Sequence, residues 1–337
     1  MGKRGWQDLD ESDVRVRPGR RGSRPRSKRR PEHADAQRAM VVAVDRGRWT
    51  CALAGEPERI VVAMRAKELG RTPIAVGDHV GLVGDTSGGT GTLARIVRVH
   101  ERSSVLRRTA DDTDPYERIV VANAEQLVIV TALADPPPRT GFIDRCLVAA
   151  YAGGLAPVLC LTKADLASPD EWIETYSALD LPIITSRMDT PPEELRQRLG
   201  GRVSALVGHS GVGKSTLVNR LVPEAGRTTG EVSGVGKGRH VSTSTVAMAL
   251  PAPARGWVID TPGIRSFGLA HVTPGDVIAA FEGFSAAAEE CPPNCGHLGG
   301  AEDPDCHLDT FVASEGGSSE QLASLRHLLL SQAGRSS

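Results

Sequence analysis

Long apolar runs are missing from this chain, and so is any apolar stretch near its start. No segment approaches the roughly 18 apolar residues that a membrane-spanning helix needs. The first residues lack the apolar middle of a secretory signal. The expectation is a cytoplasmic protein with no membrane partner. Aromatic residues are also scarce where strands are dense: Trp49 is the only one between residues 38 and 108. That absence argues against a platform on which single-stranded bases stack. Cysteines are few and unevenly placed. Cys51, Cys146 and Cys160 stand singly in apolar runs and read as buried thiols. Cys291, Cys295 and Cys306 stand together, which in a cytoplasmic chain points to a metal rather than disulfides.

A net charge of −1 over 337 residues conceals an asymmetry. Residues 1–40 carry 12 Lys/Arg against 6 Asp/Glu, leaving 28 against 35 for the rest. Within that segment "RVRPGRRGSRPRSKRR" has nine basic residues, no acid and almost nothing apolar. Such a stretch cannot offset its ordering entropy by burial, so residues 1–37 are expected to be a disordered basic tail that binds polyanions.

From Ala39 to about Arg108 the chain reads as short strands split by Gly-rich turns, the pattern of a small barrel or sandwich. Residues 38–108 hold 12 basic and 7 acidic residues. Phosphate contact or shape recognition suits it better than base stacking. The pattern changes at Val120. "QLVIVTAL", "PVLCL", "LPIIT", "RVSALVG" and "GWVID" are apolar runs of the kind buried parallel strands give, alternating with helices near 141–152, 169–179, 192–199 and 214–221. Strand–helix alternation over about 145 residues predicts an α/β, doubly wound parallel sheet. After Gly263 the chain is mostly helical, with "TPGDVIAAFEGF" and "SEQLASLRHLLLSQ" as helices.

"GHSGVGKST" fits the phosphate-loop pattern, between a strand and a helix. Gly208, His209, Ser210, Gly211, Val212 and Gly213 would turn main-chain N–H groups toward phosphate oxygens. Lys214 would reach the β- and γ-phosphates and the Ser215 hydroxyl would ligate Mg²⁺, with Thr216 completing the segment. "VIDTPG" places Asp260 at a strand end, where it can hold the Mg²⁺ shell, and Gly263 where its N–H can sense the γ-phosphate. "TKAD", following the strand "PVLCL", identifies the base. Asp165 can accept from N1–H and the 2-amino group of guanine, donors that adenine lacks. The stem of Lys163 can cover the ring. Thr162, where Asn is commoner, keeps a polar tie to the phosphate loop, and Ser186 backs the base from the next loop.

The base-reading loop thus precedes the phosphate loop, the reverse of the common order. Both lie at the carboxyl edge of one sheet, so joining the old ends and cutting elsewhere preserves the site. The chain is read as a circularly permuted GTPase binding GTP and GDP with Mg²⁺.

From about residue 39 to 332 the sequence resembles the ribosome small-subunit-dependent GTPase A family of bacterial ribosome-assembly factors. The resemblance rests on this permuted order and on "GVGKGRHVSTST", which is similar to the family's switch segment of Gly-Arg-His before three threonines. It implies an OB-type barrel at 38–110, the permuted GTPase domain at 111–270, a helical zinc-binding domain at 271–332 and a tail at 333–337. It implies the 30S ribosomal subunit and 16S rRNA as partners, and His240 as the residue positioning the attacking water. Ile264 stands just after Gly263, where a Ras-like enzyme has Gln, and cannot hydrogen-bond a water. His209 is the local rival to His240. Val241, Ser242 and Thr243 occupy the threonine run, with Thr243 favoured over Ser242 as the Mg²⁺ ligand.

"CPPNCGHLGGAEDPDCH" offers Cys291, Cys295, His297 and Cys306 as a tetrahedral Cys₃His set for one Zn²⁺. The family more often has a longer first gap and a shorter last one, which leaves His307 as an alternative ligand. Two functions compete: a GTPase that assists late 30S maturation, with hydrolysis stimulated by the subunit and coupled to release, and a GTP-gated RNA binder with little turnover. An ATPase is disfavoured by Asp165. Nothing demands more than a monomer.

Overall fold

The computed structural model describes residues 33–109, 117–179, 181–223, 244–263, 268–281, 283–314 and 316–333. The switch segment with His240, Ser242 and Thr243, and Ile264, lie outside the described residues, as does most of the expected tail.

Strands β1 (Gln37–Asp45), β2 (Arg48–Leu53), β3 (Glu56–Arg65), β4 (His79–Gly84) and β5 (Ala94–Val99) run in the order β1-β2-β3-β5-β4, and β4 returns to β1. This is a closed five-stranded barrel, antiparallel apart from the β3–β5 pair. Alternation sends Val41, Cys51, Val61, Ala63, Val80, Leu82 and Ile96 inward. Trp49 belongs to that interior, its indole N–H donating to the Ile74 carbonyl at 3.2 Å. It offers no exposed ring. A bidentate pair ties the segment after β5 to the turn before β4: the partly exposed Arg102 meets the buried Asp78 carboxylate at 2.7 and 2.8 Å.

A ribbon of β6 (Val105–Arg108) and β7 (Arg118–Ala122) leads into the second sheet. There β8 (Gln126–Ala132), β9 (Ala156–Thr162), β10 (Ile183–Ser186), β11 (Val203–Gly208) and β13 (Trp257–Asp260) are parallel in the order β10-β9-β8-β11-β13. The strand β12 (Val246–Ala249) joins antiparallel to β13. It also meets β1 at a single pair, Ala43 and Val246, so barrel and core share one continuous sheet among the described residues. The antiparallel β12 departs from the all-parallel expectation.

Period-two alternation gives the core two apolar layers. Leu127, Ile129, Leu159, Leu161 and Val207 face helix α1 (Thr140–Ala152) and the C-terminal helices. Val128, Val130, Val158, Cys160 and Leu206 face α3 (Glu193–Leu199) and α4 (Lys214–Leu221). Helix α2 (Asp170–Tyr176) ends in a tighter turn over 177–179, so the expected helix at 169–179 is real but not uniform. Burial pushes the Cys51 and Cys160 thiols up to about 12, as inert core groups.

The C-terminal part comprises α5 (Pro274–Ile278), α6 (Phe284–Glu289), α7 (His307–Ala313) and α8 (Ser319–Gln332). Reciprocal capping boxes start two of them, Thr273 with Asp276 and Ser318 with Gln321. The stretch expected as one helix from Thr273 is divided: α5 ends at Ile278, and Gly283, in a left-handed conformation, precedes α6. Leu325, Leu328 and Leu329 of α8 pack into the same apolar layer as α1.

Candidate functional site

Strand β11 lies between β8 and β13 and ends at Gly208 on the carboxyl edge of the sheet. A Cβ at Gly208 would meet the Val130 carbonyl oxygen at 2.6 Å, so only glycine lets the loop leave the sheet there. Gly211 and Gly213 have φ of +89° and +86°, which glycine adopts without strain. Together they turn the main chain from the end of β11 into α4. Lys214 opens that helix and is buried; its ammonium donates to the Asp260 carboxylate and to the Thr261 carbonyl. Asp260 is buried at the end of β13, and Thr261 is anchored by its hydroxyl to the Leu206 carbonyl at 2.7 Å. Gly263 runs beside the phosphate loop, where a Cβ would lie 3.6 Å from Ser210 N. Ser215 and Thr216 are exposed on the first turn of α4.

The other end of the site is built by β9 and β10. The Thr162 hydroxyl is buried and donates to the Val212 carbonyl at 2.6 Å, with the Thr131 carbonyl at 3.1 Å. Ser186 pairs in register with Thr162, and its carbonyl accepts from Ala164 N at 3.3 Å. Lys163 takes a positive φ of 57° and its ammonium donates to the Asp135 carbonyl. Asp165 is exposed, one carboxylate oxygen accepting from Met188 N at 3.4 Å. The fold therefore brings Thr162, Lys163, Asp165 and Ser186 to the edge that carries 208–216, Asp260 and Gly263.

His209 turns onto α1, its ring 4.0 Å from that of Phe142 in a tilted contact. Burial, and then the charge of Arg139, holds its pKa below the ordinary histidine value. Sequence reasoning missed this contact and the segment after β8, where Asp135 receives Lys163 and the Pro136 ring borders Gly211. "DPPPR" reads as a turn, and nothing in it marks a neighbour of the phosphate loop.

Thiols of Cys291, Cys295 and Cys306 and a ring nitrogen of His297 all lie within 4.8 Å of one another. Asp303 holds the turn between them, its carboxylate accepting from Gly296 N and Leu298 N, both at 2.9 Å. Arg326 of α8 donates to the His297 carbonyl at 3.1 Å and to Asp309 at 2.7 Å. Burial, and then the neighbouring thiols, push Cys295 up to about 12. His297 Nδ1 is buried without a hydrogen-bond partner among the described residues. Three crowded thiols and an unpartnered imidazole nitrogen fit a tetrahedral cation, and the donor set is that of a zinc site. His307 stands outside it, with Nε2 3.2 Å from Glu290.

A phosphate loop that follows the base-reading loop in sequence, yet shares its sheet edge, defines a circularly permuted GTPase behind a five-stranded barrel. The chain belongs to the RsgA GTPase family, whose profile matches residues 99–270. It is 37% identical over 267 residues to the small ribosomal subunit biogenesis GTPase RsgA of Chlorobaculum parvum, covering 76% of this chain and 84% of the relative. The crystal structure of YjeQ from Thermotoga maritima superposes with a TM-score of 0.62 at 25% identity, over 89% of this chain and 99% of that one. YloQ, described as a circularly permuted GTPase, matches in fold with a TM-score of 0.63 at 17% identity, over 92% and 99% of the two chains.

Proposed function

We propose that this chain binds the small ribosomal subunit, assists its late maturation and leaves after hydrolysing GTP. The Thr162–Val212 bond carries the nucleotide part of the reading, since it ties the base-reading strand to the phosphate loop. Lys214 holds the β- and γ-phosphates, Asp165 accepts from guanine, and the Gly263 N–H reports the γ-phosphate. Ser215 and Thr243 would hold Mg²⁺ with Asp260 behind them, and such an ion would supply charge neutralisation at the phosphate oxygens. His240 orients the attacking water. The partner is taken from what the relatives are named for.

The barrel supports contact with RNA. Arg38, Gly81 and Arg98 stand in register across β1, β4 and β5, and Arg48, Met64 and Arg95 across β2, β3 and β5. All four arginines are exposed. Rows of guanidinium groups without aromatic neighbours suit phosphates. In this reading 38–110 is the barrel, 111–270 the GTPase domain and 271–332 the zinc-binding domain, while basic residues within 1–37 add further phosphate contacts.

The test is GTP hydrolysis by the protein alone and with 30S, 50S or 70S particles, with Lys214→Ala as background. Stimulation by 30S alone is expected. Equal rates with every particle would remove the ribosome-coupled mechanism and leave a GTP-gated RNA binder, which Ile264 favours.

A further inference from the structure

Helix α1 touches the phosphate loop at one point and the C-terminal helix at another, only two residues apart. Phe142 carries the His209 ring at 4.0 Å. Asp144 is fully buried, and its carboxylate accepts from the Tyr176 hydroxyl at 2.9 Å and lies 2.7 Å from Nε2 of His327 on α8. Arg145 adds a bond from α1 to the Ser331 carbonyl of α8 at 3.2 Å.

We propose that His327 is a positioning residue for the phosphate loop: bonded to Asp144, it sets the seat of α1, whose Phe142 in turn seats His209. The inference rests on the nucleotide site described above and adds to it a control point in the zinc-bearing part of the chain.

Three observations carry it. A carboxylate buried among three helices is costly to keep, and an apolar residue of similar size would pack α1 without that cost. Its use is registry, because the two oxygens accept from different elements and fix α1 against both. The helix between the contacts is rigid, with Phe142, Ile143, Asp144 and the run from Cys146 to Ala150 all buried. A displacement at Asp144 therefore reaches Phe142 within one turn. His327 itself is half exposed, with a side chain 51% accessible, so it can be changed without opening the core.

The experiment measures binding of a fluorescent GDP analogue to the full chain, for wild type, His327→Ala, Phe142→Leu and the double variant, with thermal unfolding of each. Each single change is expected to weaken GDP binding about threefold to tenfold. The double variant should be little weaker than the worse single one, because both break the same chain of contacts. His327→Gln, whose amide can still donate to Asp144, should restore affinity to within about twofold of wild type. If Phe142→Leu does not fold, His209→Gln breaks the same contact from the loop side. Wild-type affinity in His327→Ala, with or without a lower melting temperature, would overturn the proposal and leave His327 a packing residue. Losses that multiply in the double variant would overturn it too. A wild-type protein that binds neither GDP nor GTP would instead remove the nucleotide reading, and the inference with it.

Discussion

The Thr162 hydroxyl donates to the carbonyl of Val212 at 2.6 Å, a side-chain bond from the end of one strand to the loop that follows another. Two parts of the nucleotide site that are 50 residues apart in sequence are thereby one rigid edge. Thr162→Val keeps the shape but orphans a buried carbonyl, at a cost of about 1–3 kcal/mol. It should lower both thermal stability and guanine-nucleotide affinity, while Thr162→Ser stays near wild type. Equal behaviour of the valine and serine variants in a GDP titration would show the bond to be incidental.

Asp165 can be tested by exchanging the base. An Asn there loses the second acceptor for guanine but presents an amide that can donate to the 2-oxo group of xanthine. Asp165→Asn should weaken GTP binding on the order of a hundredfold or more and strengthen binding of xanthosine triphosphate. Competition against both nucleotides reads the outcome, and unchanged preference for GTP would remove Asp165 as the base reader.

The Cys₃His cluster makes a distinction between two neighbouring histidines. His297 lies in the cluster, and His307 pairs with Glu290. Zinc content by elemental analysis should remain about one per chain in His307→Ala and fall in His297→Ala. Chelation should lower the melting temperature, since the metal supplies folding free energy. Full zinc in His297→Ala would assign the fourth ligand elsewhere.

The contact with Asp144, more than burial opposes it, raises the His327 pKa above its ordinary value. Tyr176 from α2, and Arg145 and Cys146 on α1, share this environment; burial, and then Asp144, keep the tyrosine protonated throughout. Because folding tightens the proton on His327, its contribution is complete below the ordinary histidine value. It is lost as pH rises through the raised one. The melting-temperature advantage of wild type over His327→Gln should therefore shrink with rising pH. A constant difference would mean the bond does not depend on the imidazolium charge.

Barrel arginines give a separate test. If Arg38 and Arg98 each contact one phosphate, replacing either by Ala should lower the slope of log affinity against log salt by about one unit for a 30S-derived RNA. A weaker complex with an unchanged slope would place those residues outside the phosphate contacts.

Much of this was legible in the sequence for physical reasons. The glycines and lysine of 208–216 encode a main-chain conformation, so pattern and structure are nearly the same statement. Asp260 at the end of "WVID" was legible because an apolar strand fixes where its side chain emerges. The barrel's closure was not, since the parallel β3–β5 pair and the return of β4 to β1 depend on contacts between segments far apart in sequence. Nor was Asp144. In "GFIDRCLVAA" one acid among apolar residues reads as the wet side of a helix, and only the arrival of Tyr176 and His327 from elsewhere turns it into a buried acceptor. Phe142 beside His209 was hidden for the same reason.

Among the described residues one ladder step, Ala43 opposite Val246, pairs β1 of the barrel with β12 of the core, whereas β12 and β13 pair over four residues. Met40, Val42 and Ala52 nevertheless belong to the core's own apolar layer. Directional bonds resist twisting and give way abruptly; apolar faces can slide while staying buried. The joint between barrel and core is accordingly held more by apolar burial than by ladder hydrogen bonds.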